Sequence, residues 1–175
     1  MITVNNKNFV PFISAEAIQT RIDELAGQIN QEYAGKQPLI VVVLNGAFIF
    51  AADLVKRLTI SCEITFIRVA SYSATESSGT LKQILGLNDS VEGRDLIIIE
   101  DIVDTGLTIS DVCNQLNAQK PASLAIATLL FKPAALKKQL DLNYVGFEIE
   151  NRFVLGYGLD YDGLGRNTPD ILVLE

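Results

Sequence analysis

Glu100, Asp101 and Asp104 place three carboxylates directly after Ile97, Ile98 and Ile99, and Thr105, Gly106 and Thr108 follow at once. Two adjacent acids at the end of an apolar run repel each other unless a cation or a hydroxyl donor sits between them and solvent. A sugar diol relieves them by donating hydrogen bonds. Magnesium relieves them by charge, through water and substrate oxygens. The next residues, Asp104-Thr105-Gly106-Leu107-Thr108, read as a turn that opens a helix. N–H groups at a helix start have no partner inside the helix and point outward. Gly106 allows close backbone approach, and the two threonines add hydroxyl donors, which makes an anion cradle suited to a phosphate. The same residues also read as an ordinary helix start capped by Asp104 or Thr105. The neighbouring Glu100-Asp101 pair favours the cradle, because a phosphate site beside a diol- and metal-binding pair describes a place for a phosphorylated ribose.

The elements that must position these groups alternate between two periods. Ser14 can cap a helix whose apolar face is Ile18, Ile22, Leu25, Ile29 and Tyr33, with Gly35 as its stop. LIVVVL (39–44) is a continuous β-branched run, as in a strand buried on both faces. Asn45-Gly46 breaks it, and residues 47–58 read as a helix. EITFIRV (63–69) alternates like a strand, residues 70–80 read as a polar loop, and 81–87 as the return strand of a long hairpin. DLIIIE (95–100) is a second buried strand, and helical spacing resumes at Ile109, Val112, Cys113 and Leu116. SLAIATLLF (123–131) is a third buried strand, followed by Lys132-Pro133, a short helix over 134–140, and a strand over 144–149. The C-terminal part, with Gly156, Gly158, Gly163 and Gly165, is rich in turns. This alternation predicts an α/β fold with a central, mostly parallel sheet flanked by helices. In such sheets ligands sit beyond the carboxyl ends of the strands. Asn45-Gly46, Glu100-Asp101 and Lys132 all fall there.

Composition sets bounds. A chain of 175 residues that is 49% hydrophobic, with mean hydropathy +0.28, is long enough for one domain with a full core. The net charge of −7 argues against a non-specific nucleic-acid binder, yet leaves room for a locally positive site for a small anion. With no histidine and only Cys62 and Cys113 as thiols, a Cys/His zinc site and a Ser-His nucleophile are excluded. No signal pattern opens the chain and no apolar run reaches membrane-spanning length, so a cytoplasmic protein is expected.

EDIVDTGLT resembles the phosphoribosyl pyrophosphate motif of the type I phosphoribosyltransferases. VVVLNGAFIFAADLV, SYSATESSG, LLFKP and RFVLGYGLDYDGLGRN are similar, in order and spacing, to segments of the hypoxanthine (hypoxanthine-guanine) phosphoribosyltransferases, so that the likeness spans residues 39–166. The resemblance implies a single domain over residues 1–175. Its core would run from about 38 to 146, and a small hood would be built from about 1–37 and 147–175, with a long flexible hairpin loop. It also implies a purine-salvage enzyme that moves the 5-phosphoribosyl group from phosphoribosyl pyrophosphate to hypoxanthine or guanine, with Mg2+ as cofactor, as a homodimer or homotetramer.

By position, the resemblance gives Glu100 and Asp101 the ribose hydroxyls and the magnesium, and Asp104, Thr105, Gly106, Leu107 and Thr108 the five-prime phosphate. Asp104 is also matched to the general acid/base beside the purine's imidazole-side nitrogen. Lys132 is matched to the purine six-oxo contact, Phe153 to base stacking, Val154 to backbone reading of the base edge, and Asp160 to a second magnesium ligand at the purine end. Asn45, Gly46 and Arg166 are matched to pyrophosphate contacts, and Ser71 and Tyr72 to the closing loop. At Asn45 many relatives carry a basic residue, so this chain keeps a small donor and drops the charge.

Taken singly, several of these residues have plainer readings: Lys132 as a solvated strand end, Phe153 as core, Asp160 as a turn residue, Arg166 as a surface ion pair. Two rivals belong to other classes. One is a nucleotide-sensing regulator on the same fold without catalysis. The other is a dimeric aspartic protease, suggested by Asp104-Thr105-Gly106. The helical periodicity after that motif and the Glu100-Asp101 pair oppose the protease. Lys132, Phe153 and Asp160 together favour the enzyme.

Overall fold

In the computed structural model, residues 1–73, 80–87 and 90–175 are described, without the side chains of 70–73 and 80–85. The chain opens with β1 (Ile2–Val4) and β2 (Lys7–Ile13), then α1 (Ala15–Glu32), β3 (Leu39–Leu44), α2 (Phe48–Val55), β4 (Glu63–Ser73) and β5 (Thr80–Leu85). It continues with β6 (Asp95–Val103), α3 (Leu107–Asn117), β7 (Ser123–Phe131), β8 (Tyr144–Glu148), β9 (Val154–Leu155) and β10 (Ile171–Leu174).

The main sheet has the order β5-β4-β3-β6-β7-β8. Five of its strands are parallel, and β5 alone returns antiparallel, on β4. The expected mostly parallel sheet is therefore present. Ile40 and Val42 of β3, with Ile97 and Ile99 of β6, face α1 and α2. Leu39, Val41 and Val43, with Leu96 and Ile98, face α3. Side chains alternate across a strand, so a run of apolar residues fills both layers at once, which is why 39–44 of β3 and 96–99 of β6 carry no polar residue.

β3 leads to β4 on one side and, further along the chain, to β6 on the other. The reversal opens a crevice between the carboxyl ends of β3 and β6. A second, antiparallel sheet, β1-β2-β10-β9, joins the first residues to the last. Ala15 N–H of α1 donates to Asp170 Oδ1, just before β10, at 2.7 Å, and Ser14 Oγ caps the helix at Ala17 N–H, at 3.2 Å.

Four local expectations need correction. α2 stops at Val55 rather than 58, because Arg57 and Leu58 turn back with three-residue bonds to Leu54 and Val55. The helix expected over 134–140 is a single 3-10 turn, Pro133–Ala135. The loop expected over 70–80 is strand at both ends, since β4 runs to Ser73 and β5 begins at Thr80; residues 74–79 lie outside the described ones. β6 runs to Val103 rather than ending at Glu100, because β7 extends beside it and pairs Ile102 with Leu130 and Val103 with Phe131.

Candidate active site

The extension of β6 sets the acids in place. β3 pairs with β6 only as far as Val42 with Ile99. Glu100 and Asp101 thus emerge where β3 gives way to Asn45 and Gly46. The Leu44–Asn45 peptide is cis. Gly46 packs so closely on Asp101 that a Cβ there would collide with the carboxylate, and a Cβ on Gly158 would collide with the Gly46 carbonyl. Gly158, Gly46 and Asp101 therefore stack across three distant parts of the chain, and only glycine allows the approach.

Glu100 is 8% exposed. Its Oε1 accepts the Asp101 N–H at 3.2 Å, while Asp101 Oδ1 accepts the Ile102 N–H at 2.8 Å. Burial, and then the Asp101 charge beside it, push the Glu100 carboxyl well above its usual range. Two acids, one of them desolvated, form a pair that a divalent cation or a diol would relieve. Magnesium takes one or two carboxylates and completes its shell with water and substrate oxygens, so this donor set fits it. Among the described residues no three acidic or thiol side chains converge as a metal group. Asp160 is engaged in its own turn, with Oδ1 paired to Arg166 at 2.6 Å and Oδ2 accepting the Gly163 N–H at 2.7 Å.

Beyond β6 the chain turns through Asp104 and Thr105 into α3. The side-chain cap by Asp104 or Thr105, the plainer reading of these residues, is not made. The N-cap is Gly106, left-handed at φ 75°, with no side-chain cap bond. Leu107 N–H reaches Thr105 Oγ1 only at 3.5 Å, too long for a firm bond. A Cβ on Gly106 would come within 2.8 Å of Leu136, so glycine is required by space as well as by φ. The result is a hollow of about 90 Å³ lined by Glu100, Ile102 to Gly106, Thr108 and Ile109. Larger depressions, one of about 420 Å³ along α1 and Phe147 and one of about 450 Å³ between α3 and residues 139–143, include none of these groups. The small hollow is the one that gathers Glu100, Asp104, Thr105, Gly106 and Thr108.

Asp104 is released from capping for another contact: Lys132 Nζ pairs with its Oδ2 at 2.9 Å. Lys132 is 6% exposed, so its ammonium is no solvated strand end. Register explains the pairing. Val103 and Phe131 are cross-strand neighbours, and Lys132 N–H bonds to Val103 O at 2.9 Å.

The C-terminal segment contributes differently. Phe153, 44% exposed, is no core residue. Its ring meets Tyr161 edge-on at 5.5 Å and Phe9 at 6.2 Å, which leaves part of it open. Val154 is buried in β9, opposite Val173. Arg166 pairs with Asp160, as its plainer reading supposed, and also donates to Gly158 O at 2.6 Å. The side chains of Ser71 and Tyr72 lie outside the described ones.

Sequence reasoning missed Arg68. Its Nη2 donates to Asn45 Oδ1 at 3.2 Å, and the register that pairs it with Leu44 brings it there. It also missed Asp53 and Tyr157, hydrogen-bonded at 2.5 Å beneath the crevice. The only sequence signal for the latter was a tyrosine between two glycines.

Residues 14–162 match the family model described as a phosphoribosyl transferase domain. The chain is 46% identical over 164 residues to the hypoxanthine-guanine phosphoribosyltransferase of Bacillus subtilis (strain 168), covering 93% of this chain and 91% of that protein. It is 45% identical to the bifunctional protein TilS/HprT of Listeria monocytogenes, but spans only 25% of its length. Among solved structures, a hypoxanthine phosphoribosyltransferase from Staphylococcus aureus superposes with a TM-score of 0.88 at 41% identity, covering 95% of this chain and 91% of that one. The hypoxanthine phosphoribosyltransferase of Trypanosoma cruzi does so with 0.85 at 35% identity, covering 94% and 95%.

Proposed function

The chain belongs to the phosphoribosyltransferase family, and from that premise we propose that it transfers the 5-phosphoribosyl group of phosphoribosyl pyrophosphate to hypoxanthine, and to guanine, releasing pyrophosphate. The observation that carries this reading is one turn with two tasks. Gly106 opens α3 as a phosphate cradle, while Asp104, two residues earlier, turns to the buried Lys132.

The roles are those the resemblance implies, set on this geometry. Thr105 to Thr108 hold the five-prime phosphate. Glu100 and Asp101 hold the ribose hydroxyls and stabilise the positive charge that builds on the sugar ring as pyrophosphate departs. Bound magnesium would sit on the Glu100-Asp101 pair and offset charge on the leaving group. Asp104 takes the proton that the attacking purine nitrogen loses, and Lys132 both orients that carboxylate and donates to the six-oxo group. Phe153 stacks on the base, and Val154 offers its backbone to the base edge. Asp160 pairs with Arg166, the residue for the pyrophosphate, and is the further carboxylate, at the purine end, for a second metal. Ser71 and Tyr72 belong to a loop that excludes water from the sugar cation. Arg68 beside Asn45 supplies the charge that Asn45 lacks.

The catalytic unit is one domain, with the parallel sheet as core and the second sheet as hood. A cytoplasmic setting agrees with the free thiols Cys62 and Cys113, and no helix among the described residues is long and apolar enough to cross a membrane. Assembly into a homodimer or homotetramer is supported by Ile64 and Phe66, 46% and 50% exposed on one face of β4. There β5 gives no cover, since its pairing starts at Arg68.

A base panel tests the reading. Purified protein with magnesium and phosphoribosyl pyrophosphate is given hypoxanthine, guanine, xanthine and adenine in turn, and nucleotide formation is followed. Product with hypoxanthine and guanine is expected. No product with any purine would favour a nucleotide-sensing regulator.

A further inference from the structure

Tyr157 stands where a side chain is unwelcome. Its φ is +48°, between Gly156 at +101° and Gly158 at +102°, in the left-handed region that L side chains rarely adopt. Yet it is 4% exposed. Its hydroxyl donates to Asp53 Oδ2 at 2.5 Å and accepts from Gln19 Nε2 at 3.2 Å. Gln19 Nε2 also reaches Asp53 Oδ2 at 3.0 Å, Arg57 holds Gln19 Oε1 at 2.8 Å, and Lys56 pairs with Asp53 Oδ1 at 2.7 Å. Burial alone would raise the Asp53 carboxyl, but hydrogen bonds from Lys56, Tyr157 and Gln19 bring it down to about 2, so it stays an anionic acceptor.

What this anchor holds is the turn against the crevice. Gly158 lies on the Gly46 carbonyl with no room for a Cβ. Gly158 N–H donates to Arg166 O at 2.9 Å, and Arg166 Nη1 returns a bond to Gly158 O at 2.6 Å. Asp53 lies on α2, the helix that begins just after Gly46. The anchor and the loop it serves thus share one element, and the chain is clamped back onto it from more than a hundred residues away.

We propose that Tyr157 is a positioning residue: its hydroxyl, held by Asp53, seats the Gly156–Gly158 turn on the Gly46 loop and thereby aims Arg166 at the pyrophosphate end of the donor. The inference rests on the phosphoribosyl-transfer reading. It deepens that reading by separating the pyrophosphate half of the site from the nucleotide half, which Thr105 to Thr108 and Lys132 hold without this turn.

The test is binding of two ligands to one variant. Y157F keeps the ring and deletes only the hydroxyl. Affinities for magnesium pyrophosphate and for inosine monophosphate are measured by calorimetry, with a melting curve for each protein. In Y157F, pyrophosphate affinity is expected to fall about tenfold, the scale of one hydrogen bond to a charged group, while nucleotide affinity stays within about twofold. With Tyr157 intact, Asp53→Asn, which keeps an acceptor for the hydroxyl, should keep most of the pyrophosphate affinity, and Asp53→Ala should lose about as much as Y157F. Equal loss for both ligands would mean a structural tie only and overturn the proposal, as would no loss for either. Should Y157F fail to fold, the Asp53→Asn and Asp53→Ala pair carries the same comparison, and an even loss in both ligands there also overturns it. Wild-type binding is read first. If the wild type binds neither ligand, the functional reading itself fails, whereas an even loss against a binding wild type removes only the tether.

Discussion

The crossing from β6 into α3 and the segment from Phe153 to Arg166 both serve the crevice, but they are built in opposite ways. The crossing is contiguous. Its acids and cradle come within nine residues and stand on Ile97, Ile98 and Ile99, which are wholly buried. The C-terminal segment is assembled from afar. Phe153 leans on Phe9 and Tyr161, a small cluster of Phe9, Leu155 and Leu172 underlies it, and Tyr157 reaches down to α2. Charged chemistry is sensitive to small displacements, and on the proposed reading it would sit on a strand whose Ile97, Ile98 and Ile99 are wholly buried. Stacking on an aromatic face tolerates sliding, and the proposed platform, Phe153, stands just before β9 of the smaller sheet.

If the division holds, mutations in the two regions should differ in kind as well as in size. The largest effect is expected for Asp104→Asn. Turnover should fall by about 10²–10⁴-fold, the usual contribution of one general acid/base, while donor affinity stays near wild type. Steady-state kinetics with a direct binding measurement decide this, and near-normal turnover would remove Asp104 from the chemistry.

Next comes the double change Glu100→Gln, Asp101→Asn. Donor affinity should fall roughly ten- to a hundredfold through lost charge-assisted bonds. The ligand-free protein should melt higher, by an amount on the order of 1 kcal/mol. The sign follows from Glu100, whose carboxyl is raised by burial and by Asp101. In that case the folded state binds the proton more tightly than the unfolded one. Stability is therefore lost as pH rises from the ordinary glutamate range through the raised folded value. That loss in the wild type should flatten in the variant, and a pH series of melts that shows no change would break this account.

The smallest of the three is Phe153→Ala. The Michaelis constant for the base should rise about tenfold from lost stacking, with turnover little changed. A fall in turnover equal to that of Asp104→Asn would erase the contrast between the regions.

Readability from the sequence follows the same division. β3 and β7 lie where their apolar runs place them, 39–44 and 123–131, because a strand buried on both faces is built almost wholly from apolar side chains; Thr128, inside β7, turns its hydroxyl to Leu130 O at 2.8 Å. Ser14 and the face from Ile18 to Ile29 mark α1 for a similar reason, since one helix face meets the sheet. Where tertiary pairing decides, the sequence is silent. Nothing local says that β6 should carry Glu100 and Asp101 inside a strand; the length of β7 beside it does. Nor does residue spacing show that Asp104 leaves its capping role to meet Lys132, that Arg68 stands beside Asn45, or that Tyr157 finds Asp53. Each of these contacts joins residues that only the folded sheet makes neighbours.

The pairing of β2 with β10, Pro11 against Leu172 and Phe9 against Leu174, has a consequence for the order of events during synthesis. β10 is made more than 150 residues after β2, and a contact that distant carries a large loop-closure cost. A nascent chain can complete β3, β6 and β7 while β2 still waits for its partner. The turn that opens α3 can therefore take shape before the aromatic cluster of Phe9, Phe153 and Tyr161 closes.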